Sequence, residues 1–304
     1  MSIPYIHLEI NIETEFPIHF HFPEALIRGG FGNVLRNLVC VNKKSECKDC
    51  FLMNSCIFSI MFFTDYKNRK GSFSTIKTIP HPYIFHSHRR NSRNELIFEM
   101  ILFRDCFKYF SHIIYALMSM GETGIGKNRI KFKINQIKDN NNGEIIFEEG
   151  NKGIKDPIEK DLSIKYDKAD SNTRRMKIEF VSPMRIIRNN KMIENISFKD
   201  VIKSGLLRIG ILDKIYGEES DVIDLKNILN ESEKVKTIER NLYYKSQRRY
   251  STVQDQKIEV GGYMGSMTYE GKTDKFESIL KCLLITGTGK STSFGCGRIN
   301  YYFL

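Results

Sequence analysis

Residues 287–297 read Gly-Thr-Gly-Lys-Ser-Thr-Ser-Phe-Gly-Cys-Gly and run directly into Arg298-Ile-Asn-Tyr-Tyr-Phe303. The residues before them, Phe276 to about Leu284, have helical periodicity, and Arg298–Phe303 has strand composition. The glycine run therefore joins a helix to a last strand. Closely spaced glycines let backbone amides turn toward an anion, and Lys290, Ser291 and Thr292 add a charge and hydroxyls. The stretch GTGKST invites a phosphate-loop reading. That motif needs a glycine where Leu284 stands and a helix after the loop. Both are missing, so nucleotide hydrolysis is set aside and a phosphate contact of another kind is kept.

Working outward, apolar alternation predicts strands over Ile3–Ile12, Glu95–Phe103, Ile130–Ile137, Lys177–Ile187, Gln256–Gly262 and Gly265–Tyr269. Helical spacing marks Glu24–Cys40, Lys108–Met120 and Phe198–Tyr216, the last with Ser197 as N-cap, and a short helix within Asp221–Asn230. Residues 139–173 are polar, with a hairpin signal at Asn142-Gly143, and read as the link between two halves. The expected domains are 1–172 and 173–304. Each half then follows a β–α–β–β–α–β-like order. This is an α+β class, two tandem ferredoxin-like (RRM-like) domains, with a cysteine-rich insertion in the first.

Lys and Arg number 47 against 36 Asp and Glu, a net charge of +11. An excess of this size suits a polyanionic partner, nucleic acid before anionic membrane. There is no apolar run of transmembrane length, and the first residues lack a signal-peptide pattern. A cytoplasmic protein with no membrane partner is expected, so the seven cysteines call for something other than disulfides. Cys40, Cys47, Cys50 and Cys56 fall in one polar stretch, and Cys47-Lys-Asp-Cys50 makes a chelating turn. A structural Zn²⁺ is the first reading, with an iron–sulfur cluster and free thiols left open. No catalytic metal is expected.

Residues 240–250 read RNLYYKSQRRY, basic and aromatic with no acid, a pattern that suits phosphate contacts and base stacking. Lys245, Arg248 and Arg249 are its candidate RNA contacts. The loop Gly287, Gly289, Lys290, Ser291, Gly295 and Gly297 is a second candidate surface, and Arg89 and Arg90 a third.

A Gly-Lys loop followed by Ser-Phe-Gly-x-Gly-Arg and a last strand resembles the C-terminal signature of the CRISPR-associated RAMP superfamily. Within it, the chain is most similar to the repeat-processing endoribonucleases, the sixth Cas family. Leu26-Ile-Arg-Gly-Gly-Phe-Gly32 with Leu35-Arg36, the cysteine cluster, Pro80-His-Pro-Tyr83, and Gly121-Glu-Thr-Gly-Ile-Gly126 with Arg129 resemble family segments in the same order. So do Ser182-Pro183, Arg249-Tyr250-Ser251, Gly261-Gly262 and Gly265 with Tyr269. The resemblance implies binding of the repeat in a precursor CRISPR RNA and cleavage within it, with other CRISPR effector subunits as further partners. It also implies a histidine near the first helix.

The candidates for that role are His19 and His21, which share a face if extended, followed by His86 and His88 in a His/Arg loop that also holds His81. Metal-independent cleavage needs a base for the 2′-hydroxyl and an acid for the leaving oxygen, and histidine suits both. The chain departs from the family at Gly287, where related members carry a histidine. A non-catalytic RNA-binding subunit is the alternative that this departure favours.

Overall fold

In the computed structural model, residues 2–17, 22–63, 79–89, 93–151, 153–166, 172–218, 224–251 and 256–304 are described, with backbone only at 88, 89, 249–251, 256 and 257. The chain packs as two compact units, Pro4–Lys160 and Asp161–Leu304, the second also holding Met1–Ile3. The division thus falls inside the polar link, twelve residues ahead of the expected one.

The first unit runs β1 (Ile3–Thr14), α1 (Pro23–Val39), α2 (Ile57–Phe62), β2 (Tyr83–Arg89), β3 (Glu95–Phe103), α3 (Phe110–Thr123), β4 (Phe132–Asp139) and β5 (Ile145–Glu148). Its strands lie in the order β2-β3-β1-β4-β5, with β1 antiparallel to both β3 and β4. The alternation in β1 explains why one face is buried against helices. Ile6, Leu8, Ile10 and Ile12 enter a core with Ile27, Phe31 and Leu35 of α1 and Ile113, Leu117 and Met120 of α3. Glycine inside a helix costs up to about 1 kcal/mol relative to alanine, and here the packing accounts for it. A Cβ on Gly32 would stand 2.7 Å from the Phe62 ring. One on Gly121 would stand 2.4 Å from the Phe132 carbonyl. Helix α3 consequently runs through Gly121 instead of ending there, and stops at Gly124 with φ 80°.

After β6 (Lys160–Leu162), the second unit runs β7 (Arg174–Met184), the two-residue strands β8 (Ile187–Arg188) and β9 (Lys191–Met192), α4 (Phe198–Tyr216), α5 (Leu225–Glu233) and β10 (Lys236–Lys245). It continues with β11 (Arg248–Ser251), β12 (Gln256–Glu259), β13 (Gly262–Gly271), α6 (Glu277–Thr286) and β14 (Ile299–Phe303). The sheet order is β10-β13-β7-β14. Ser197 caps α4 as its sequence indicates. Its hydroxyl accepts from the Asp200 amide at 3.2 Å, and the Asp200 carboxylate accepts from the Ser197 amide at 3.0 Å.

Two of the strands absent from the sequence reading bear on its candidate sites. β2 occupies the stretch read as a His/Arg loop, and β10 occupies the first part of the basic-aromatic run. Every residue of β10 except Leu242 is exposed, so it has no apolar alternation to read. Among the described residues, no helix is long and apolar enough to cross a membrane.

Gly121→Ala and Gly29→Ala test the packing account in one experiment. Gly121→Ala should destabilise the protein by about 2–4 kcal/mol through overpacking against backbone. Gly29 has nothing within 4 Å of a built Cβ, so Gly29→Ala should stabilise by about 0.5–1 kcal/mol. Urea unfolding midpoints of the two variants should move in opposite directions.

Candidate nucleic-acid interface

The loop after α6 is shaped by its glycines and held by its amides. Gly287, Gly289, Gly295 and Gly297 have φ of 65°, 82°, 77° and 77°, and Ser291 joins them at 63°. A Cβ on Gly297 would lie 1.8 Å from the Thr288 carbonyl, so only glycine fits where the loop closes on itself. That closure is the Thr288 amide donating to the Gly297 carbonyl at 2.9 Å. The loop is then tied down from outside. The Gly297 amide donates to the Pro183 carbonyl at 3.1 Å and the Lys290 amide to the Arg185 carbonyl at 2.9 Å. The Gly289 amide donates to Ser204 Oγ at 3.0 Å, and the Arg298 amide to Ser182 Oγ at 2.8 Å. Arg208 Nε donates to the Thr286 carbonyl at 2.6 Å, closing the end of α6.

These bonds correct the expectation of a broad amide nest. The amides of 287–290 and 294–298 donate within the protein. Among the described residues, the amides of Ser291, Thr292 and Ser293 have no such bond, and Thr292 and Ser293 are buried. What the loop presents to an anion is therefore compact: the exposed Lys290 side chain and the half-buried Ser291 with its amide, at the start of a single 3₁₀ turn, Thr292–Phe294. No longer helix follows, so the arrangement is not a nucleotide-binding phosphate loop. The sequence marks Ser182-Pro183 only by its resemblance to a family segment, and gives no signal for Arg185, Ser204 or Arg208. Their contacts join residues 78 or more positions apart, which no local pattern encodes.

A family model of an N-terminal domain, AF_1859_N, matches residues 3–159, and the model of the CRISPR-associated endoribonuclease Cas6 matches residues 178–299. The first model spans just over half of the chain, which belongs to that family, and residues 178–299 are similar to the Cas6 model. A curated relative from Archaeoglobus fulgidus, described as an uncharacterized protein, is 28% identical over 151 residues, 49% of this chain and 51% of its own length. The chain thus spans about half the length of the curated relative it matches. Among solved structures, a Cas6 product complex aligns with TM-score 0.56 at 11% identity over 99% of this chain and 100% of that one. Thermus thermophilus Cas6 gives 0.53 at 13% identity over 99% of both chains. A partial Cas6-RT-Cas1–Cas2 complex gives 0.57 at 11% identity over 99% of this chain and 46% of that one. At such identities the agreement is one of fold.

The second unit carries the second candidate surface on β10 and the β11–β12 hairpin. Tyr243 and Tyr244 are 58% and 46% exposed. Lys245 is exposed and has no ion pair among the described residues. Arg248 is instead paired, its Nε donating to Glu259 Oε2 at 3.2 Å. The same carboxylate accepts from the Gln247 and Gly261 amides, each at 3.0 Å. The Gln247 amide foremost, then the Gly261 amide and Arg248, hold the Glu259 carboxyl below its usual range against a smaller opposing effect of burial. Arg240 donates to Glu194 and Asn195. Arg249 lies in β11 with only its backbone described.

The first unit separates its histidines. His19 and His21 lie outside the described residues, as does Arg90, and for His88 and Arg89 only the β2 backbone is described. His86 is 2% exposed and sits opposite Glu99 across the β2–β3 pair. It is thus a buried strand residue, not an exposed loop residue meeting a phosphate. His81 is engaged at both nitrogens, with Nδ1 2.8 Å from the Met61 carbonyl and Nε2 3.3 Å from an Arg28 guanidinium nitrogen. A carbonyl only accepts and a guanidinium only donates, so the ring is the neutral Nδ1–H tautomer and its lone pair is occupied. Arg28 in turn lies 5.3 Å from the Phe62 ring centre. This cluster braces α1 against α2 and β2. The four candidate metal-ligating cysteines lie between α1 and α2.

Gly297→Ala and Lys290→Ala should separate loop architecture from ligand contact. The first should cost about 2–4 kcal/mol, because both φ and the contact forbid a Cβ. The second should change stability by no more than about 0.5 kcal/mol. Urea unfolding monitored in the second unit distinguishes them.

Glu259 gives a pH signature. Its folded pKa lies below its unfolded value, so its stabilisation is present above pH 4.5, the ordinary value, and is lost as pH falls through the folded one. Stability should therefore depend less on pH across that acid range in Glu259→Gln than in the parent protein.

Proposed function

We propose that the protein binds the repeat of a precursor CRISPR RNA and cleaves it without a catalytic metal, leaving a 2′,3′-cyclic phosphate. The observation that carries this reading is the Cas6 match over residues 178–299 of the second unit, which holds the exposed Lys290 beside Ser291. The β–α–β–β–α–β order of each unit, with sheets β2-β3-β1-β4 and β10-β13-β7-β14, supports reading both as ferredoxin-like domains. In the first, the cysteine-bearing segment interrupts the order between α1 and β2. The net charge of +11 supports a polyanionic partner. The similar solved structures, a Cas6 product complex and a Cas6-RT-Cas1–Cas2 complex, support repeat RNA and other CRISPR proteins as partners here.

In this reading Lys290 and Ser291, with its amide, hold a backbone phosphate, while Lys245 and the exposed Tyr243 and Tyr244 meet a neighbouring stretch of RNA. Arg89, Arg90 and Arg249 add phosphate contacts. His19 and His21 act as base and acid: one takes the 2′-hydroxyl proton as its oxygen attacks the adjacent phosphorus, and the other protonates the departing 5′-oxygen. His86 is set aside by its burial and His81 by its occupied lone pair. His88 is retained as a further candidate.

A second reading, an RNA-binding subunit without cleavage, is favoured by Gly287. With φ 65° and a built Cβ 3.2 Å from the Gly297 carbonyl, that position resists the histidine carried by related proteins. A cleavage assay on repeat RNA in excess EDTA decides between the two. The expected result is cutting in EDTA, abolished by a single 2′-deoxy nucleotide at the cut site and reduced roughly 100-fold or more in the His19→Ala, His21→Ala double variant. Binding of repeat RNA with no cutting would establish the subunit reading, and Lys290→Ala should weaken that binding in either case.

A further inference from the structure

Between α1 and α2 the chain makes an excursion that the RNA reading leaves unused. Both ends are cysteines: Cys40 is the C-cap of α1 and Cys56 the N-cap of α2. Between them, Cys47–Asp49 forms one 3₁₀ turn, closed by the Cys50 amide donating to the Cys47 carbonyl at 3.3 Å. All four thiols are free and line one pocket, with Val39, Leu52, Met53 and Phe58 among its apolar walls. They are close enough to act on one another electrostatically. Burial foremost pushes the Cys47 thiol up, Arg36 draws it down, and Cys40, Cys56 and Cys50 push it up further.

A second observation concerns what holds this segment. From 40 to 56 only Met53 is buried, while Val41 and Phe51 are 71% and 83% exposed. Among the described residues, its backbone bonds after Cys40 are local, joining residues three or four apart. A longer bond, from Tyr109 Oη to the Ser55 carbonyl, reaches it from outside. So little apolar burial is the usual sign of a segment that needs a covalent or metal staple.

We propose that Cys40, Cys47, Cys50 and Cys56 bind one Zn²⁺ as a closed tetrahedral thiolate site that fastens the end of α1 to the start of α2. An all-sulfur donor set with a C-x-x-C turn suits Zn²⁺. On binding, each thiol gives its proton to solvent, four Zn–S bonds form, and no electron moves. The resulting net charge of about −2 lies beside Arg36 and in a segment carrying Lys43, Lys44 and Lys48. As described, no group of three His, Cys, Asp or Glu side chains stands ready to hold an ion among the described residues. The thiols must therefore turn inward across their shared pocket to ligating distance, about 2.3 Å. Four protein ligands leave no open position, so the ion is structural.

Elemental analysis of the whole protein, purified without chelator under reducing conditions, tests this. About one zinc per chain is expected, and replacement by Co²⁺ should give the visible absorption of a tetrahedral four-thiolate site. Cys47→Ser with Cys50→Ser should bring bound metal below about a tenth of that, and stripping zinc from the parent protein should lower Tm by roughly 5 °C or more. Less than a tenth of a zinc per parent chain, with no Co²⁺ spectrum, overturns the proposal, as does iron with acid-labile sulfide. Metal content is read on the parent protein, so a variant that fails to fold leaves the test intact.

Discussion

The first long strand of each unit's sheet is hydrogen-bonded along both edges, β1 between β3 and β4 and β7 between β13 and β14. A strand in that position has no freedom of register. Slipping by one residue would carry Ile6, Leu8, Ile10 and Ile12 out of the core and bring His7 and Glu9 into it. The same holds for Met176, Ile178 and Phe180 in β7. Once the central strand is fixed, its neighbours are fixed with it, and so is the side on which the helices pack.

The glycine loop is a consequence of this constraint. Helix α6 must hand the chain to β14, which pairs with β7 from Met176 to Phe180. The connection therefore closes beside the end of β7, where Pro183 and Arg185 offer carbonyls. Most of its amides are consumed in meeting them, and this is what makes the loop rigid. The few amides left over, next to Lys290, owe their arrangement to bonds made elsewhere in the loop. Preorganisation of this kind lowers the ordering cost of holding an anion.

How much of this can be read in the sequence depends on whether a residue's role is local. The alternation of β1, the N-cap at Ser197 and the helix-loop-strand ending of the chain are local, and the sequence reading finds them. β10 escapes it because an edge strand exposed on both faces has no period-two pattern. β2 escapes because histidines and arginines stand where an apolar strand is expected. Arg248 reads as a free cation, yet the Glu259 that pairs with it comes eleven residues later in the returning hairpin strand. The glycines of α1 read as weaknesses of the helix until Phe62 is seen against Gly32. In each case the deciding partner lies across a turn or on another element.

The exposure of β10 has a consequence for solubility. A strand at the end of a sheet offers an unpaired row of amides and carbonyls to any second strand, including that of another copy. Along this edge Lys236, Glu239, Arg240 and Lys245 are all exposed, interrupting Ile238, Tyr243 and Tyr244. Charges so placed act as gatekeepers, because pairing two such edges would desolvate them or set like charges side by side. The charged residues of this edge thus keep it from joining its own kind, and neutralising several at once would favour self-association.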